Sequence, residues 1–159
     1  MPPDITDITP SFGLLNAAMY FLGFGLTVIP VVPSTKRTAV KWDPWMENFS
    51  SKQVYDHWNA YPNHDVGFIV GDDIIVFDAD TPESIEKLRQ IERSHGIKPK
   101  LVVKTAKGEH HYFRREPGSI AKSDSHSTER FPDRIDVKTG RALVVLPPSG
   151  GKEVLVNEA

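Results

Sequence analysis

Apolar positions along the chain fall into two periodicities, and their order sketches a fold. Phe12, Leu14, Leu15, Ala18, Met19, Phe21 and Leu22 recur at helical spacing and stop at Gly23 and Gly25, which predicts an amphipathic helix with its C-terminal punctuation. Residues 26–32 form a β-rich run, broken by Pro30 and ended by Pro33, the pattern of an edge strand. Ser50 or Ser51 then caps a short helix carrying Val54, Tyr55 and Trp58. Residues 66–70 and 74–77 flank Gly71-Asp72-Asp73, which predicts a hairpin. The clearest helix covers 81–96, with Ile85, Leu88 and Ile91 on its inner face, and strands follow near 101–105, 110–114, 135–138 and 142–146. This order lacks the regular alternation of a doubly wound parallel sheet. The expected fold class is therefore α+β with a largely antiparallel sheet.

Composition narrows the class. A chain of 159 residues, 39% hydrophobic and 25% charged, has the size and balance of one globular domain, placed here at 11–150 between tails at 1–10 and 151–159. Zero cysteines exclude a disulfide scaffold and a thiolate zinc site. No apolar stretch reaches bilayer length and the first ten residues are acidic and polar, so the expectation is a cytoplasmic protein without a membrane partner. A formal net charge of -2 argues against coating nucleic acid by bulk charge. Basic charge is nevertheless concentrated locally, where Lys98, Lys100, Lys104, Lys107, Arg114 and Arg115 face one acid, Glu109; a solvated surface gives the same pattern. Residues 119–133 are the one extended polar loop, in which Asp124, His126 and Glu129 read either as a metal set or as plain solvated groups.

Ile74-Ile75-Val76-Phe77-Asp78-Ala79-Asp80 carries the candidate chemistry. Positions i and i+2 of a strand share a face, so Asp78 and Asp80 point the same way, an arrangement that a divalent cation relieves. Asp80-Thr81-Pro82-Glu83 also reads as a helix start, with Asp80 as the cap and Glu83 closing a capping box. Ile135-Asp136-Val137-Lys138 offers a third carboxylate, or an acid at a strand end facing water. Gly108-Glu109-His110-His111-Tyr112-Phe113 sends two adjacent histidines to opposite faces, and periodicity does not say which one joins the acids. Pro147-Pro148-Ser149 ends a strand abruptly.

These segments, in this order, resemble the bifunctional primase-polymerase domain of the archaeo-eukaryotic primase superfamily. Ala18 to Phe24, Val28-Ile29-Pro30, Pro33, Lys36, Trp42, Trp58 and Asp65-Val66-Gly67 are similar to that family's opening, so the resemblance spans residues 15–149. It implies an RRM-like sheet with flanking helices beside a small N-terminal αβ unit. It also implies a DNA primase or DNA polymerase acting in replication of a phage, plasmid or other mobile element. By the same likeness Asp78, Asp80 and Asp136 bind two Mg2+ or Mn2+ ions, and His110, rather than His111, meets the phosphates of an incoming dNTP or NTP. Lys36, Lys138 and Ser149 are further nucleotide-binding candidates, and Lys104, Lys107 and Arg114 candidates for nucleic acid. A single-stranded DNA template and a helicase or replication initiator are the implied partners. The chain departs from the family where Lys107 replaces a glycine, where Arg37-Thr38 replaces a proline step, and in having only ten residues after Ser149. That last departure suggests a compact stand-alone enzyme or an excised domain.

Two other classes use a similar core. A rolling-circle replication initiator needs two metal-binding histidines on one strand face and a nicking tyrosine, which adjacent histidines do not provide. A non-catalytic nucleotide- or DNA-binding module would not need three ordered acids.

Overall fold

The computed structural model describes residues 13–115 and 135–157. The expected tail at 1–10, the last two residues of the expected tail at 151–159, Phe12, and the polar loop with Asp124, His126 and Glu129 lie outside the described residues. In chain order the elements are α1 (Leu14–Gly23), β1 (Val28–Val31), α2 (Trp42–Glu47), α3 (Ser51–Ala60), β2 (Asp65–Val70), β3 (Ile74–Ala79), α4 (Pro82–His95), β4 (Leu101–Lys104), β5 (Glu109–Arg114), β6 (Ile135–Thr139), β7 (Ala142–Val145), a 3-10 turn (Ser149–Gly151) and β8 (Glu153–Asn157). No helix among the described residues is long and apolar enough to cross a membrane. The α+β expectation holds, with antiparallel pairing of β1 with β2, of β3 with β5 and β6, and of β4 with β5.

The span expected to be one domain divides into two compact units. One comprises the described residues up to Ile69 with Leu143–Glu153, the other those from Val70 to Ala142 with the segment from Val154 onward. In the first unit a sheet runs β1-β2-β7, with β1 at the edge as Pro30 demands. Its core gathers Phe21 from α1, Val28 and Ile29 from β1, and Val54 and Trp58 from α3, all buried. The indoles are satisfied as well as buried, since Trp45 Nε1 donates to the Val28 carbonyl at 2.8 Å and Trp58 Nε1 to the His64 carbonyl at 2.9 Å. Ser50, not Ser51, caps α3 by accepting from the Gln53 amide.

The second unit is built on a five-stranded sheet in the order β6-β3-β5-β4-β8. Its first four strands, β6-β3-β5-β4, have the RRM-like order that the resemblance implies. α4 covers one face, where Leu88 packs with Ala79 and Ile135, and Ile85 and Phe77 flank them.

Three expectations are corrected. The predicted hairpin does not form: β2 lies between β1 and β7, whereas β3 lies between β6 and β5. Gly71-Asp72-Asp73 sets a tight connection, but a local turn signal carries no information on which long-range partners fill a strand's edges. The cap of α4 is Thr81, not Asp80, and the capping box closes through Ser84, not Glu83. Thr81 Oγ1 accepts from the Ser84 amide at 3.0 Å and Ser84 Oγ accepts from the Thr81 amide at 2.9 Å, with Pro82 opening the helix. Finally, residues 153–157, read as tail, form β8 beside β4.

Candidate active site

The register of three neighbouring strands assembles the site. Asp78 on β3 is the direct partner of Asp136 on β6 and of His110 on β5. Directly opposed residues share a face, so Asp136, Asp78 and His110 form one row across the sheet, on the side away from α4. Asp80 follows two residues after Asp78, just past the end of β3. Its place before the N-terminus of α4 favours a carboxylate there, and the cap duty itself falls to Thr81.

Oxygens of Asp78, Asp80 and Asp136 all lie within 4.8 Å of one another. At that separation each ionised pair repels by roughly 3.5 kcal/mol at an effective dielectric of about 20. Burial opposes ionisation of Asp78, but the contacts of His110 and Asp80 and the charge of Lys138 outweigh it and hold Asp78 below the usual carboxylate range. Asp78 Oδ1 is buried and makes no hydrogen bond, lying 3.3 Å from His110 Nε2 outside hydrogen-bond geometry. An acid held ionised, with a buried oxygen left unpaired and two more carboxylates converging on it, fits a hard divalent cation.

His110 is 7% exposed, and its Nδ1 also lacks a hydrogen-bond partner in the structure. Tyr112, two residues on, shares its face and is buried beside Asp78; burial and the Asp78 charge push the phenol far up, so it stays neutral. Alternation alone did not single out Tyr112, although its i+2 spacing from His110 was a usable signal. Lys138 follows Asp136 by two residues on the same face.

His111 turns the other way. Its Nδ1 lies 2.5 Å from Glu92 Oε2 on α4, its Nε2 lies 2.8 Å from Glu109 Oε1, and Arg89 Nη2 donates to Glu109 Oε2 at 2.9 Å. Burial works against a charged imidazole, but the two carboxylates prevail and raise the pKa of His111 above its ordinary value. Sequence reading passed over this cluster. The available signal was Glu92 itself, an acid four residues after inner-face Leu88.

The remaining candidates separate. Arg114 is exposed on the His110 face, four residues along β5, and Lys107 is exposed in the turn that leads into β5. Lys104 is the partner of Glu109, which puts it on the opposite face from the acids. Lys36 and Ser149 belong to the first unit. Lys36 is exposed, whereas the Ser149 hydroxyl is buried and accepts from the Val66 amide at 2.8 Å.

Among curated proteins none matches the chain. The model of one protein family does match, over residues 17–156, and it covers both sheets, all three acids and His110. The chain therefore belongs to the family described as the N-terminal domain of bifunctional DNA primase/polymerase.

Proposed function

We propose that this protein extends nucleic acid on a single-stranded DNA template, transferring nucleotides from dNTP or NTP to a growing 3′ end with two Mg2+ or Mn2+ ions held by Asp78, Asp80 and Asp136. Family membership makes it a nucleotidyltransferase-type domain that binds DNA and nucleotides. The observation that carries the finer reading is the single row Asp136-Asp78-His110 with Asp80 converging on it.

Divalent cations bound there supply activation of the attacking hydroxyl and neutralisation of charge on the triphosphate and leaving pyrophosphate. The chain's own groups do the rest. Asp78 stays ionised, and so presents ligand oxygens without first losing a proton. His110 has a free buried Nδ1 to offer a phosphate oxygen. Lys138, on the same face, adds positive charge beside the triphosphate. Ser149 in this scheme braces its own loop against Val66 rather than donating to nucleotide. Arg114 and Lys107 are the template contacts we favour; Lys104 faces away from the acids. A helicase or initiator that delivers template, and a role in replicating a mobile element, complete the proposal.

The geometry supports this reading over a rolling-circle initiator. His110 and His111 do not share a face, and the one tyrosine beside the acids is buried with its phenol held neutral. The test is incubation with single-stranded DNA, labelled nucleotides and Mg2+ or Mn2+, with and without a primer, beside Asp78→Ala/Asp80→Ala. Metal-dependent incorporation lost in the variant is the expected result. No incorporation by wild type under either metal overturns the polymerase reading, and extension only from a primer removes primase from it.

A further inference from the structure

β5 holds its two histidines very differently. The His110 ring makes no hydrogen bond through Nδ1, and its Nε2 only approaches Asp78. Apart from that approach to Asp78, no hydrogen bond of its own ring places it before nucleotide arrives, so the position of the backbone that carries it matters. The His111 ring, on the reverse face, is gripped at both nitrogens: by Glu92 from α4 and by Glu109 from β5 itself. Arg89, three residues before Glu92 on α4, closes the circuit by donating to Glu109. An imidazole with a carboxylate at each nitrogen donates twice, which only the imidazolium does. Two cations then balance two anions, and each buried charge has a partner.

Packing alone does not require this. An apolar side chain at position 111 would fill a sheet-to-helix interface at less cost than a desolvated ion cluster. What the cluster adds is direction: His111 to Glu92 and Arg89 to Glu109 tie β5 to α4 at two points, and the bond from His111 to Glu109 joins those two links through one ring. The charged groups around His111 are Glu92 and Arg89 from α4, Glu109 from β5, and Lys104 from β4, the register partner of Glu109. β3 presents only Phe77 to it.

We propose that His111, clamped between Glu92 and Glu109, is a positioning residue that sets β5 so that His110 meets the nucleotide phosphates. The proposal rests on the nucleotidyl-transfer reading, because it gives His110 that task.

A double-mutant cycle tests it. Nucleotide Kd with Mn2+ present but no DNA, and KM and kcat during extension, are measured for wild type, His111→Phe, His110→Ala and the double variant. Acting through His110, His111→Phe weakens nucleotide binding about tenfold when His110 is present and less than about twofold when it is not. An equal loss in both backgrounds overturns the proposal and leaves a purely structural role. If circular dichroism shows His111→Phe unfolded, Glu92→Gln takes its place in the cycle, since an amide still accepts from Nδ1. That variant is expected to shift the rise of nucleotide KM to lower pH, and only with His110 present; an unchanged profile overturns the clamp. Wild type that binds nucleotide but incorporates none overturns the polymerase reading, and the cycle in Kd still decides on the clamp.

Discussion

Gly108 is the residue whose replacement best tests how the site is held together. A Cβ built there meets Ala79 O at 1.7 Å, Ala79 C at 2.8 Å and Asp80 Cα at 3.1 Å. All three are backbone atoms, so no side chain can swing away. An ordinary C···O contact is about 3.3 Å, and Gly108→Ala must therefore open the approach by about 1.6 Å. The reason for glycine here is space, because Gly108, unlike Gly96 at the end of α4, is not among the positive-φ glycines. The displacement falls where Ala79 pairs with Glu109, between Asp78 on β3 and Asp80 just past its end. Overpacking of this kind costs about 1–3 kcal/mol, and rigid neighbours put Gly108→Ala at the upper end. A misplacement of about 1 Å at a reaction centre costs on the order of 100-fold in rate. The assay is urea unfolding beside steady-state nucleotide incorporation. A variant within about 0.5 kcal/mol of wild type that also incorporates at the wild-type rate refutes the reasoning, since surface-like tolerance is then the better description.

Two further outcomes follow from the cap and the clamp. Thr81→Ala removes the α4 cap and lowers unfolding free energy by about 1 kcal/mol, whereas Asp80→Ala spares the cap and abolishes metal-dependent incorporation. Equal destabilisation by both in urea titrations would restore Asp80 as the cap. Stability at different pH reads out His111, whose folded pKa is raised: its contribution is complete below the unfolded value of 6.5 and is lost as pH rises through the folded value. The stability gap between wild type and His111→Gln, followed by denaturant unfolding, is expected to shrink as the solution is made alkaline; a widening gap contradicts it.

Local pattern carried much of the fold, and long-range pairing carried what it missed. α1 and α4 were legible because their apolar residues recur at helical spacing, and α3 because a serine cap precedes Val54, Tyr55 and Trp58. α2 was not, since six residues are too short for a period and Trp45 is fixed by a distant bond to the Val28 carbonyl. The predicted hairpin failed for the same reason that Asp136 was ambiguous: which strand lies beside which is not encoded in either strand alone. Asp78 and Asp80 followed from alternation, yet only the register with Asp136 and His110 shows that these groups converge. Adjacent histidines left two assignments open, and pairing with Asp78 on one side and Glu92 on the other separated them. β8 escaped notice because Pro147-Pro148-Ser149 reads as an end.

The tight approach of Gly108 to Ala79 bears on folding fidelity as well as on geometry. A strand with two histidines in succession invites a one-residue slip, in which His111 would stand opposite Asp78 and the acids would gain a plausible but inverted companion. Such a slip brings Glu109 or, in the other direction, Lys107 to the place beside the Ala79 carbonyl. Either carries a Cβ where none fits. The missing side chain thus acts as a register stop, making the ambiguity of His110-His111 harmless by forbidding every alignment but one.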